Sequence, residues 1–341
     1  MPTAEIQYRE ALRLNPQLFE ALQFLGVLKA QTGECPEAIK LFNQAIAINP
    51  KNEHVYLNRG LVQYQLGEFQ SALADFQTSA KIAPQYAEAY FNTANTFQEL
   101  RDFSKAVVNY DKAISLAPQY AEALNNRGNA LQELGQYPEA LKSYQQALAI
   151  QANYADAYFN YGTLFQNIKD FQGAIKYFDK AIELEPNYLE AYINNGDNYD
   201  ELNSASQSLR YYEAALKIDP NCLEARYAMT LSRIPKIYSN KQELQESRKT
   251  FETMLASLES FVKAHIKDSH HIVGSHQPFF LAYQNTNNKR LLSRYGSICI
   301  ELMKGMQSTI SAPAPRIATQ KIKNRHCERV SASTFSMGRN Y

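Results

Sequence analysis

The sequence has no tryptophan, only four cysteines and no long apolar run, and the last two shortages each remove a class of protein. Cys35, Cys222, Cys299 and Cys327 lie far apart and form no CxxC pair, so neither a disulfide framework nor a zinc ribbon is read. They fit isolated thiols of a reducing compartment. No window stays apolar over the length a bilayer demands, and the opening MPTAEIQYREALRLNP lacks the apolar centre of a signal peptide. Surplus charge is missing too. Against 35 Lys and Arg stand 34 Asp and Glu, and the resulting +1 gives no field for nucleic acid or an anionic membrane. GxSxG, P-loop and HExxH patterns are absent. The expectation is a cytoplasmic chain with no nucleic-acid or membrane partner, no metal, no cofactor and no catalytic residue.

What the chain does have is a period. Prolines stand at Pro16, Pro50, Pro84, Pro118, Pro186 and Pro220, spaced by 34 residues, with Ala152 in the one empty slot. In that register six units span 19–52, 53–86, 87–120, 121–154, 155–188 and 189–222, after a half unit at 1–18. A small residue recurs in each first helix at Gly26, Gly60, Ala94, Gly128, Gly162 and Gly196. An aromatic recurs in each second helix at Phe42, Phe76, Tyr110, Tyr144, Phe178 and Tyr212. Ala38, Ala72, Ala106, Ala140 and Ala174 keep a further column, which Ser208 completes.

The residue types have a physical reason. Two antiparallel helices approach closely where one presents a small side chain and the other a large one. Proline near the end of the second helix stops it and turns the chain toward the next unit. Each hairpin covers its apolar face only against its neighbours. This pattern resembles the tetratricopeptide repeat (TPR) family. The resemblance implies an all-α, right-handed superhelical solenoid whose first helices line the concave side. Ala4, Tyr8, Ala11 and Pro16 match a second helix without its first, so the expectation is that upstream repeats are lost or the start is misplaced.

Two residues before the small column the chain reads Phe24, Asn58, Asn92, Asn126, Asn160 and Asn194, and Asn95 and Asn129 lie one turn further on. A carboxamide donates and accepts, so a row of them suits a peptide backbone of any sequence. Asparagine is a mediocre helix former, so propensity does not explain the row. Two readings stay open: the amides hold an extended peptide, or they bond to neighbouring helices and set the pitch. Glu20, Glu88, Glu122, Asp156 and Glu190 begin the first helices, where they complement the N-terminal dipole or attract basic ligands. Gln98, Gln132 and Gln166 fit a wet wall without naming a ligand.

After Pro220 the period fades. Residues 223–234 read as a capping helix and 241–265 as a one-sided helix. The run HHIVGSHQPFFLAYQNTNN reads as a partly buried loop. A second amphipathic helix is expected with Leu291, Leu292, Tyr295, Ile298, Cys299, Leu302 and Met303 on one side. RIPKIYSN, VGSHQPFFLAYQ and LLSRYGSICIELM resemble the junction between repeat arm and catalytic part in bacterial SPINDLY-like proteins of the O-GlcNAc transferase family. The asparagine row is similar to that family's as well, where it grips protein substrates.

The resemblance covers residues 1 to about 306 and makes 223–306 the helical cap and linker. The family's catalytic part needs two nucleotide-binding lobes for a UDP-sugar. The 35 residues after Met306 are too few for one such domain and hold six basic residues against one acidic. Residues 307–341 read as a disordered tail. UDP-GlcNAc is therefore expected as a partner only if the missing catalytic part were present. His265, His270, His271 and His276 match no metal-ligand spacing.

The leading expectation is a scaffold that binds protein or peptide segments through Asn58, Asn92, Asn95, Asn126, Asn129, Asn160 and Asn194. It would act as the substrate-recruiting part of a truncated O-GlcNAc transferase-like protein. An active protein glycosyltransferase and a TPR assembly chaperone are the alternatives.

Overall fold

The computed structural model describes residues 2–234, 240–265, 272–278, 280, 281, 284 and 286–309. Among the described residues there are helices and no strand, with one isolated bridge between Val273 and His276. Of the sequence-predicted tail 307–341, residues 307–309 belong to the last helix, which corrects that boundary, and the rest, together with His270 and His271, lies outside the described residues. The chain divides into two compact units, Met1–Ala152 and Asn153–Arg316, if the undescribed tail is set aside.

The first unit is a lone helix α1 (Pro2–Leu14) followed by four hairpins. These are α2 (Phe19–Gln31) with α3 (Cys35–Ile48), α4 (Glu53–Gln65) with α5 (Phe69–Ile82), α6 (Ala87–Glu99) with α7 (Phe103–Leu116), and α8 (Ala121–Glu133) with α9 (Tyr137–Ile150). Each first helix touches the next one, α2 on α4, α4 on α6 and α6 on α8, so the stack curves with first helices on its inner side. Buried Lys29 fastens α1, its Nζ lying 2.7 Å from Glu5 and 2.8 Å from Glu34.

The second unit continues with α10 (Ala155–Asn167) and α11 (Phe171–Leu184), then α12 (Leu189–Glu201) and α13 (Ala205–Ile218). Three more helices complete it: α14 (Leu223–Leu231), α15 (Lys241–His265) and α16 (Lys289–Thr309). Tyr227, Phe251, Leu255, Leu258, Ile298 and Leu302 form the centre of one apolar core beyond the last hairpin, reached by Ile272 and Leu281 from the intervening loop. The face of α16 differs from the sequence expectation. Leu291, Ile298 and Leu302 are buried and Tyr295 is half-buried, whereas Leu292 and Met303 are exposed. Positions 291, 295, 298 and 302 follow the helical period, and the two exposed residues are rotated off that line.

Inside each hairpin the small and large columns meet. A Cβ added at Gly26, Gly60, Gly128, Gly162 or Gly196 would stand 2.3 to 2.7 Å from the ring of Phe42, Phe76, Tyr144, Phe178 or Tyr212. All five rings are completely buried. Where Ala94 replaces glycine, both it and Tyr110 are still fully buried.

A second column was not visible in the sequence. The turn joining the two helices of each hairpin places one residue at positive φ: Gly33, Gly67, Arg101, Gly135, Lys169 and Asn203, between 57° and 80°. The amide after each bonds back to the fifth carbonyl before it, as in Asp170 N to Phe165 O at 2.9 Å, which closes the helix end in a Schellman turn. A side chain in this left-handed region costs about 1 kcal/mol relative to glycine. Lys169 is exposed, so Lys169→Gly is expected to raise stability by about 0.5 kcal/mol after the unfolded-state entropy of glycine is counted. A urea titration reads this, and a lower midpoint for the variant would contradict the strain argument.

Candidate peptide-binding wall

The asparagines stand on first helices, and Asn58, Asn92 and Asn126 belong to the helices on the inner side of the first unit's curve. Asn58 is 6% exposed and Asn92 7% exposed, while Asn95, Asn126, Asn129, Asn160 and Asn194 are half-buried. Side chains so placed are held by packing, which lowers the entropy lost when a ligand fixes them.

Their hydrogen bonds divide them. Asn58 makes none among the described residues, yet its amide is not sealed, so it is left to solvent or a ligand. Asn194, half-buried, likewise makes no side-chain hydrogen bond among the described residues. Asn92 donates from Nδ2 to Glu88 O at 2.9 Å, one turn back in its own helix, and keeps its oxygen available. Asn126 donates to Asn95 Oδ1 of the preceding repeat at 3.2 Å and accepts from Asn125 at 3.2 Å. The bond from Asn126 to Asn95 has the cross-repeat geometry that pitch-setting requires.

Asn95 and Asn129 carry a different duty. Tyr110 Oη donates to Asn95 Oδ1 at 2.5 Å, and Tyr144 Oη to Asn129 Oδ1 at 2.7 Å. Gln98 and Gln132 stand 3.1 and 3.2 Å from the same hydroxyls. The two columns vary together. Tyr110, Tyr144 and Tyr212 face Asn95, Asn129 and Asp197, whereas Phe42, Phe76 and Phe178 share their repeats with Val27, Leu61 and Thr163. A buried phenol requires an acceptor and a phenyl ring does not. This pairing was readable in the sequence and explains why amides appear in this column only in the central repeats.

The pairing gives a double-mutant test. Asn129→Leu alone is expected to cost about 1 kcal/mol by depriving Tyr144 of an acceptor, and Tyr144→Phe alone about 1 kcal/mol. The double variant recreates the Leu61 and Phe76 combination and is expected close to wild type in a denaturation midpoint. Additive losses would contradict the pairing.

Carboxylates flank the amides. Glu88, Glu122, Asp156 and Glu190 lie in the first turns of α6, α8, α10 and α12, where the helix dipole favours them. Glu88 accepts from Tyr86 Oη at 3.0 Å, and burial pushes its pKa up, with Glu122 adding to the effect. Because its folded pKa is raised, Glu88 favours folding least at high pH, where it must be ionised while desolvated.

Outside the wall, a polar clasp links neighbouring hairpins. Arg59 bonds to Asp75 in its own repeat at 2.6 and 2.7 Å and to Asn43 of the previous repeat at 2.5 Å. Arg127 repeats this with Ser143 at 2.7 Å and Asp111 at 2.5 Å, and Asn195 reaches Asp179 at 2.7 Å. Neighbouring repeats are thus also hydrogen-bonded to each other outside the asparagine row. Among the described residues no three His, Cys, Asp or Glu side chains converge, and no helix is long and apolar enough to cross a membrane.

Comparison with known proteins agrees with this geometry. Tetratricopeptide repeat family models match residues 119–184, 169–234 and 53–86, and a further TPR repeat model matches 26–67 and 102–135. The fold is similar to a tetratricopeptide repeat protein from Parabacteroides merdae, at 18% identity over 71% of this chain and 93% of that one, with a TM-score of 0.56. PilF of Pseudomonas aeruginosa is similar at 21% identity over 61% of this chain and 90% of that one, with a TM-score of 0.52. So is a chain of the APC/C Cut9–Hcn1 hetero-tetramer, at 17% identity over 77% of this chain and 50% of that one, with a TM-score of 0.53. None of the curated proteins compared matches the chain. The chain is a tetratricopeptide repeat protein, an all-α solenoid of the class that binds protein or peptide partners.

Proposed function

We propose that this repeat scaffold holds an extended protein segment along the amide-bearing inner face of its first helices. Asn58 carries the reading. It is packed to 6% exposure, makes no hydrogen bond among the described residues, and yet has an amide that is not sealed. Leaving an amide there without a partner inside the chain is costly unless solvent or a ligand completes it. Asn92, with its free oxygen, offers an acceptor one repeat on. Backbone groups of a bound chain supply the matching donor and acceptor whatever its side chains. Asn95, Asn126 and Asn129 serve in part to close hairpins and join repeats, so they position the wall as well as line it.

The test is to select displayed random peptides on the full chain and measure the affinity of a selected peptide by calorimetry. Peptides should compete with one another and lose affinity on Asn58→Ala. Binding indifferent to Asn58 and Asn92 would leave the pitch-setting reading in place.

A second reading follows from the resemblance of residues 223–306 to a glycosyltransferase junction: the wall recruits protein substrates for transfer of GlcNAc. Its separate test is UDP-GlcNAc binding to the full chain. Specific uptake would favour the transferase, and its absence together with peptide capture would favour the bare scaffold.

A further inference from the structure

His276 lies 64 residues after Tyr212 in sequence and beside it in space. Its Nε2 is 3.5 Å from Asp197 Oδ1 on α12 and 3.5 Å from Tyr212 Oη on α13. Tyr212 Oη also donates to Asp197 at 2.8 Å. The His276 backbone oxygen faces the hydroxyls of Tyr227 on α14 and Tyr295 on α16, each 3.3 Å away, and those hydroxyls are 2.9 Å apart. One loop residue thus touches four helices. Its ring sits on Asp197, one turn from Asn194, in the column that holds Asn95 and Asn129 in the central repeats.

From this geometry we infer that Asp197 and His276 form an acid-strengthened latch, which holds the loop Ile272–Pro278 over the end of the last hairpin and loosens as pH rises through neutrality. The second unit alone contains the latch, and it does not rest on peptide capture.

The chemistry at Asp197 accounts for the direction. In the column where repeats 3 and 4 use a neutral amide, this repeat uses a carboxylate. The Asp197 side chain is only 31% exposed and crowded by protein, so desolvation raises its pKa, and His276 acts the other way. The pair attracts most where the carboxylate is ionised and the imidazole is protonated. Imidazole is the side chain whose charge changes in the physiological range, so raising the pH removes the attraction while the carboxylate stays ionised. Among the described residues, the other titratable groups around the cluster are Asp200 on α12, Tyr212 on α13, Glu224 and Tyr227 on α14, and Tyr295 and Cys299 on α16. Asp200 and Glu224 raise Asp197 further. Burial lifts Tyr295 to about 12 and the other two tyrosines higher still, so the phenols remain neutral throughout the window.

Hydrogen exchange of the full chain reads the latch directly. After correction for intrinsic chemistry, amides of residues 272–277 are expected to be protected about tenfold more at pH 6 than at pH 8. Asp197→Asn should retain the Tyr212 bond, as Asn95 and Asn129 do for their tyrosines, so the hairpin is expected to fold while the loop's pH response is lost. His276→Gln should flatten the response as well. Equal protection of the wild-type loop at both pH values would overturn the inference. So would an Asp197→Asn or His276→Gln variant that keeps the wild-type pH response.

Discussion

Changing Asn58, Asn92 and Asn126 together to alanine is expected to weaken a selected peptide by roughly 100-fold while leaving the helical circular dichroism unchanged. Each amide contributes about 1 kcal/mol through bonds to the ligand backbone, and three such losses correspond to about two decades in affinity. The three positions differ in what else they do, which makes the single variants informative. Asn58 has no hydrogen bond among the described residues, so Asn58→Ala should reduce affinity with little change in stability. Asn126 also ties to Asn95, so Asn126→Ala should lower both affinity and stability. A triple variant with full affinity, or single variants that lose stability and affinity in the same proportion, would favour the pitch-setting reading.

Tyr144→Ala is expected to be the most damaging single change to the first unit, costing about 3–5 kcal/mol. Its ring is completely buried and fills the space that Gly128 leaves, where even an added Cβ would come within 2.5 Å. Its hydroxyl also donates to Asn129 Oδ1 at 2.7 Å. Removing it opens a cavity between α8 and α9 and leaves Asn129 Oδ1 without its donor. Repeat arrays are stabilised mainly by neighbouring pairs, so the loss should appear first as enhanced hydrogen exchange in α8 and α9, with α2 to α5 less affected. Tyr144→Phe, which keeps the ring, should recover most of the stability. A cost below about 1 kcal/mol for the alanine variant would mean that the glycine and aromatic columns do not lock the hairpin as described.

The hairpins were legible because helix packing recurs at a fixed period. First helices begin at Phe19, Glu53, Ala87, Ala121, Ala155 and Leu189, 34 residues apart, and the small and aromatic columns that mark them meet in space. The turn column was hidden because Arg101, Lys169 and Asn203 stand where the pattern would otherwise show glycine. The double role of Asn95 and Asn129 could have been read from their covariation with Tyr110 and Tyr144. Taken alone they are indistinguishable from wall residues. Beyond Pro220 no period exists to guide the reading. Apolar residues lie on more than one side of α16, so its buried face is decided by what α14 and α15 offer. The meeting of His276 with Asp197 is tertiary and leaves no local mark.

The claim that ligand lies along the first helices is tested most directly by the side-chain amide resonances of a selectively labelled chain during titration with a selected peptide. The expected result is that the NH2 signals of Asn58 and Asn92 shift in a saturable way. Asn109, half-buried on second helix α7 and bonded to Lys105 O at 2.9 Å, should stay where it is. Movement of Asn109 with Asn58 and Asn92 unmoved would place the ligand on the other face and contradict the account.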